Sequence, residues 1–268
     1  ARKLRLPGKL TILREEGKIA EAEHALKKAI AQNPGYVEAH NNLAALYAGD
    51  GKEVDALRVL GEALKLEPRN PTSLLLTARI QLNRGNHAST ERACQIVIED
   101  DPRNAEAQTV LGHVLHETDR YEEAIAALEA ALAANPAHSE ARNFYGVALK
   151  SVGRLDEARA QILEAIALND AMSGAYANLH DLVDFSKEPE LFKRIEELVE
   201  AAPDRNAPQM LPLHYAYAKA LDDNGEAGRA LEHYITGGQM KRAHLNYDEA
   251  DTFKFFADIK QAFTADTF

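Results

Sequence analysis

The sequence predicts an all-α solenoid, a stack of helical hairpins in which each unit repeats the one before it. Three observations predict it. Pro34, Pro68, Pro102 and Pro136 follow one another at steps of 34 residues. Gly17, Gly51, Gly85 and Gly153 keep the same step, with Asp119 standing in the fourth place. Two alanine rows run in parallel: Ala22, Ala56, Ala124 and Ala158, interrupted by Thr90, and Ala29, Ala63, Ala131 and Ala165, interrupted by Val97. A fixed internal period of this length is the signature of a repeat architecture, in which one supersecondary unit is copied along the chain.

Each row has a mechanical reason. Glycine between two amphipathic segments permits the left-handed conformation that ends a helix without a Cβ penalty, so it sets the hairpin turn. The alanines lie seven apart in the second segment, hence on one face, where small side chains let two helices approach closely. Proline cannot continue the helical ladder and pushes the residue before it out of the helical region, so it closes the unit. Over Val37 to Pro68 the first helix carries an apolar stripe of Leu43, Leu46 and Tyr47, and the second carries Leu57, Leu60 and Leu64. One such pair cannot bury both of its apolar faces, and stacking on neighbours supplies the missing core.

In order along the chain, 3–36 keeps the pattern mainly in its second half; its first helix, around Leu6 to Glu16, is basic and holds Pro7 and Gly8. Units 37–70, 71–104, 105–138 and 139–172 match full length. Past Asn169 the register loosens. Tyr176, Leu179 and Val183 keep a first-helix pattern, but the run from Phe185 to Pro189 replaces the tight turn, and a second helix is expected over Glu190 to Glu200. The loop Ala202 to Pro212 holds three prolines and reads as a kink. A final unit returns to pattern with Tyr217, Ala218, Leu221, Gly225, Ala230 and Tyr234. At the end, Phe253, Phe256, Ile259 and Phe263 recur at helical spacing. This stripe either caps the open end of the array or receives a following domain, and capping is favoured because an uncovered terminal repeat aggregates. The domain reading is therefore a regular array over 1–172 with five repeats, an irregular hairpin and Pro-rich loop over 173–210, a last hairpin over 211–245, and a C-terminal helix over 246–268.

These residues resemble the tetratricopeptide repeat family, whose pattern runs from a bulky residue and a Leu-Gly or Leu-Ala pair through an aromatic, Gly, Ala and a second Ala to Pro. The resemblance implies a right-handed superhelix of about seven hairpins that holds an extended peptide against its first helices. Residues 213–251, together with the closing run IKQAFTADTF, are similar to the last repeat and joining segment of bacterial sulfotransferase proteins that carry this repeat. In that family a domain using the sulfate donor PAPS follows, opening with a Gly-rich phosphate loop. No such loop occurs in these 268 residues, so the resemblance implies a substrate-recruiting portion with the catalytic domain lying after residue 268, and a docking contact with that domain.

Composition bounds the partner. With 31 Lys and Arg against 42 Asp and Glu the net charge is -11, the opposite of what a phosphate backbone attracts, so nucleic acid is not an expected partner. No apolar stretch approaches the ~20 residues a bilayer crossing needs, and one cysteine, Cys94, gives no internal disulfide, which together suggest a cytoplasmic protein without a membrane partner. No nucleophile, base or paired carboxylate is arranged for catalysis, and neither cofactor nor metal is expected. His113 and His116, with Glu117 beside them, lack a third ligand of fixed geometry.

The binding expectation rests on the family's groove positions. There this chain offers Asn41 on its first full repeat, Arg79 on the next, His113 and His116, Asn143, then Asp181, and Tyr215 with Lys219 on the last. Asn42 and Asn178 occupy positions at which related arrays hold a peptide main chain with their amides, although Leu76, Val110 and Phe144 interrupt the row. Self-assembly through the groove or the end faces is the remaining reading.

Overall fold

The computed structural model describes residues 19–244 and 249–262. The expected helix near Leu6, the turn at Gly17 and the aromatic Phe263 lie outside the described residues. Among those described, regular structure is all helical: fourteen α-helices and two short 3-10 turns, with no strand. They form two compact units that divide between Leu168 and Asn169.

The first unit contains α1 (Ile19–Gln32), α2 (Val37–Gly49), α3 (Glu53–Leu66), α4 (Pro71–Asn83), α5 (His87–Asp100), α6 (Ala105–Glu117), α7 (Tyr121–Ala134), α8 (Ser139–Ser151) and α9 (Leu155–Leu168). Helices pair as α2 with α3, α4 with α5, α6 with α7 and α8 with α9, and each hairpin stacks on the next. The even-numbered first helices also touch in succession, α2 to α4 to α6 to α8, so they share one face.

The turns show why the 34-residue register is strict. Gly51, Gly85 and Gly153 have φ of 70°, 71° and 81°, and Asp119 has 59°. At every one of these positions the following residue donates its N–H to a carbonyl five residues back. The pairs are Lys52 to Tyr47 at 2.8 Å, Asn86 to Gln81 at 2.8 Å, Arg120 to Leu115 at 2.9 Å and Arg154 to Leu149 at 2.9 Å. A second bond, such as Gly51 N–H to Ala48 O at 3.1 Å, completes a Schellman cap. Asp119 enters the left-handed region because a short polar side chain bears that conformation at less cost than a branched one; its Oδ1 accepts from Tyr121 Oη at 2.6 Å.

The alanine rows are the close-packed seams. Ala56, Ala124, Ala158, Ala63, Ala131 and Ala165 are fully buried, as is Thr90, whose hydroxyl reaches the carbonyls of Ala78 at 3.2 Å and Asn86 at 3.1 Å. Opposite them the first helices contribute Ala44, Ala78, Gly112 and Gly146, again at one register. An added Cβ on Gly146 would lie 2.5 Å from Ile162 Cγ1 and 3.0 Å from the Ala158 carbonyl. Helix starts are capped by side chains at a further register position: Asn70 Oδ1 accepts from Ser73 N–H at 3.0 Å, Asn104 Oδ1 from Ala107 N–H at 2.9 Å, and His138 Nδ1 from Ala141 N–H at 3.3 Å.

The second unit contains α10 (Ser173–Leu179), α11 (Pro189–Glu200), α12 (Leu211–Asp223), α13 (Ala227–His244) and α14 (Glu249–Ala262), with 3-10 turns at Phe185–Lys187 and Pro208–Met210. The first helix of the irregular hairpin is cut to seven residues. Tyr176 and Leu179 are buried as expected, but the chain leaves the helix before Val183, and Phe185 fills the core from the 3-10 turn instead. Asp223 holds that turn by accepting Phe185 N–H at 3.0 Å. Pro212 stands inside the first turn of α12, where its missing N–H costs nothing, so the connecting loop is shorter than the proline count suggested. Gly225 repeats the left-handed cap, with φ 79°.

The C-terminal helix forms, and of its described residues Phe253, Phe256 and Ile259 of the expected stripe are 65%, 61% and 38% exposed, as is Phe255 at 62%.

Candidate functional site

The shared face of the first helices brings several of the proposed binding residues together at α4, α6 and α8. Arg79, at mid-height on α4, spreads its guanidinium over two carboxylates. Nη1 and Nη2 donate to Glu140 Oε1 and Oε2 at 3.0 and 2.7 Å, and Nε donates to Glu106 Oε1 at 2.7 Å. The bidentate fork suits the planar guanidinium. Glu106 also faces His138 Nε2 at 3.5 Å. Because His138 Nδ1 accepts a backbone N–H, the ring proton belongs on Nε2, directed at that carboxylate. His138 and then Arg79 hold the Glu106 carboxyl down at about 2 against the opposing effect of burial. All three charged side chains keep a third or more of their surface in solvent, 38% for Arg79, 39% for Glu106 and 33% for Glu140. One cation against two anions leaves a surplus negative charge on this face.

Beside this set lies an imidazole and aromatic ledge. His113 stacks on Phe144 with centroids 4.0 Å apart and planes at 25°, and its Nε2 is 3.7 Å from Glu117. His116 Nε2 is 2.9 Å from Ser151 Oγ, and its ring tilts against Tyr121. Burial lowers the pKa of both histidines, so both rings are neutral at pH 7. Among the described residues no group of three or more His, Cys, Asp or Glu side chains is placed to hold a metal ion.

The other candidates have different settings. Asn41 is buried and committed to helix stacking: its Oδ1 accepts from Ser73 Oγ at 2.7 Å and its Nδ2 donates to Asn70 Oδ1 at 3.3 Å. Asn143 is also buried. Asn42, one residue round the same helix, is exposed. Asn178 is half-buried on α10 in the second unit, so the two asparagines expected to act alike belong to different units. Asp181 is exposed, 3.7 Å from His180. Tyr215 and Lys219 are half-buried on α12, with Lys219 paired to Asp223. Cys94 is fully buried and its thiol is pushed up to about 12 by burial, which makes it an inert core residue.

Glu106, Glu140 and His138 were not among the residues singled out from the sequence. The signal was present: Glu38, Glu106 and Glu140 share one register position at the start of their first helices, with Thr72 interrupting the row, and Arg79 stands just past the middle of α4.

Comparison with known proteins places this geometry. Family models described as tetratricopeptide repeat match residues 110–173 and 11–51, and one described as anaphase-promoting complex, cyclosome, subunit 3 matches 52–131. A peroxisomal targeting signal receptor from Eremothecium gossypii is 34% identical over 79 residues, which are 29% of this chain and 14% of that protein. This chain thus matches only about one seventh of that relative's length. A tetratricopeptide repeat protein from Parabacteroides merdae superposes with a TM-score of 0.63 at 20% identity, covering 93% of this chain and 95% of that one. A thermophilic repeat protein from Thermus thermophilus gives 0.57 at 23% identity, covering 69% and 98%. At these identities the two structures speak for the fold alone.

Proposed function

Because the chain is a tetratricopeptide repeat protein, a scaffold suited to protein interaction, we propose that it binds an extended peptide segment along the first-helix face of its first unit, between α4 and α8. The observation that carries this reading is the ledge itself. Arg79, His113, His116 and Phe144 converge from three successive first helices, are held by fixed partners, and remain half open to solvent. Pre-set polar groups and a stacked aromatic surface on rigid helices offer many modest contacts at little ordering cost. The name of the partial relative, a receptor for a targeting signal, supports a peptide as the ligand. Among the described residues no helix is long and apolar enough to cross a membrane.

Peptides selected on the intact protein from a random display library provide the ligand for the test. Replacing His113 and His116 together by Ala is expected to weaken the selected peptide about tenfold, read by fluorescence anisotropy, equivalent to about 1.4 kcal/mol. Asn42→Ala tests the amide reading of the first unit by itself, and Asn178→Ala tests that of the second. Unchanged affinity in the histidine double variant, with helicity retained by circular dichroism, would overturn the assignment.

A further inference from the structure

The second unit contains a pair of imidazoles, one buried and one half-buried, with an unusual proton requirement. His214 on α12, 2% exposed, and His233 on α13 face each other with Nδ1 to Nδ1 at 2.8 Å. The other nitrogen of His214, Nε2, lies 2.8 Å from the backbone carbonyl of Arg205. A carbonyl only accepts, so Nε2 of His214 must carry a hydrogen. When His214 is neutral its Nδ1 is then a bare acceptor, and His233 must donate from Nδ1. A single added proton is accommodated, because His233 can take it on Nε2 and leave the bond between the rings intact. A second is not: both Nδ1 atoms would then carry hydrogen and point at each other across 2.8 Å.

We propose that this pair is a proton-operated catch on the segment 201–210, closed while the two rings hold at most one extra proton and opened when both are charged. The segment depends on it. The Arg205 carbonyl is its anchor to α12, and the local bonds from Asn206 N–H to Asp204 Oδ1 at 2.9 Å and from Met210 N–H to Ala207 O at 2.8 Å sit on either side. Ser173 Oγ at the start of α10 reaches Gln209 O at 3.4 Å, so loosening the segment also loosens the first helix of the irregular hairpin.

The surroundings set the sign. Arg229 on α13 and Arg205 on the segment oppose a further positive charge, while Glu232 on α13 favours it. Tyr217 on α12 lies edge-on to His233 with centroids 4.7 Å apart, and Glu196 on α11 is occupied by Tyr217 and Arg229. Burial and the neighbouring His214 depress the His233 pKa, which places the opening on the acid side of the ordinary imidazole range.

The test combines imidazole 15N NMR with hydrogen exchange of the intact protein from pH 7.5 to 4.5. At pH 7.5 the spectrum should show His214 protonated on Nε2 and not on Nδ1. On acidification, exchange of the Asn206, Ala207 and Met210 amides, corrected for intrinsic rate, should rise at least tenfold while amides of the first unit stay protected. In His233→Gln the amide can donate to a neutral His214 or accept from a charged one, so the acid-induced rise should be largely lost. His233→Phe provides the second variant, with the segment open at every pH. An Nδ1 proton on His214 at pH 7.5, an unchanged segment while both rings titrate, or the same acid response in His233→Gln would each overturn the proposal.

Discussion

Gly146→Ala tests the seam on which the hairpins depend. An ideal Cβ at this position meets Ile162 Cγ1 at 2.5 Å, Ile162 Cδ1 at 3.2 Å and the Ala158 carbonyl oxygen at 3.0 Å. Ile162 is fully buried and branched at Cβ, so its Cγ1 cannot swing away without a new rotamer in a filled space. The carbonyl belongs to the backbone of α9, so relief requires α8 and α9 to part. Overpacking of this kind costs about 1–3 kcal/mol, and the two simultaneous contacts put it in the upper half of that range. Alanine returns about 1 kcal/mol of helix propensity. The expected net loss is about 1–2 kcal/mol. Gly61→Ala on α3 is the internal control. Nothing lies within 4 Å of its Cβ, so the same chemical change should stabilise by about 0.5–1 kcal/mol. Urea denaturation followed by circular dichroism reads both, and the two variants should differ by about 1.5–3 kcal/mol. Gly112→Ala should fall between them, because the three nearest atoms there all belong to the Leu128 side chain and none to backbone. If Gly146→Ala is as stable as Gly61→Ala, the close approach is not what fixes the hairpin geometry.

Three further outcomes follow from individual residues. Asp119→Gly, which relieves a left-handed non-glycine residue at the price of the Tyr121 bond, should raise stability by about 0.5 kcal/mol, whereas Asp119→Val should lower it by more than 1 kcal/mol, both read by urea midpoint. The Glu106 carboxyl is held down at about 2, so its contribution is complete above the ordinary carboxylate value and disappears as pH falls from about 4.5 towards 2. Its partial exposure limits the loss to about 1 kcal/mol, and Glu106→Gln should remove that part of the difference between stability measured at pH 5 and pH 3. Cys94, buried with its thiol pushed up to about 12, should resist a thiol reagent in the native protein and react fully in urea; rapid native labelling would contradict its burial.

The repeat was legible because its rules are local. A left-handed turn needs glycine or a short polar residue, and Asp119 fits as well as its glycine counterparts. A close seam needs a small side chain, and even Thr90 is accommodated by sending its hydroxyl back to carbonyls. Ala44, Ala78, Gly112 and Gly146, facing Leu60, Cys94, Leu128 and Ile162, explain why Cys94 stands in a core column. Past Leu168 the rules change. Nothing local announces that α10 stops after seven residues, because its truncation depends on Phe185 arriving from the next turn to fill the core and on Asp223 holding it there. The apolar stripe of α14 correctly signalled a helix, yet periodicity carries no information on what covers it. In the candidate site, the types were visible but the pairings were not. Arg79 was singled out, whereas Glu106 and Glu140, one and two hairpins further on, could be joined to it only by the way the first helices stack. Asn41 and Asn42 illustrate the same limit. They are adjacent in sequence, yet one is locked into the interior and the other faces water, a distinction of about 100° of helix rotation.

Arg79 also alters how the first unit should come apart. Contacts between successive hairpins alone would let an end unit peel off while its neighbours stand, as rungs leave a ladder singly. A guanidinium on α4 that grips Glu140 on α8 skips the hairpin between, so it couples next-nearest neighbours. Even a surface pairing worth about 1 kcal/mol then sharpens the transition, and the stretch from Pro71 to Leu168 should detach under load as one block rather than in instalments.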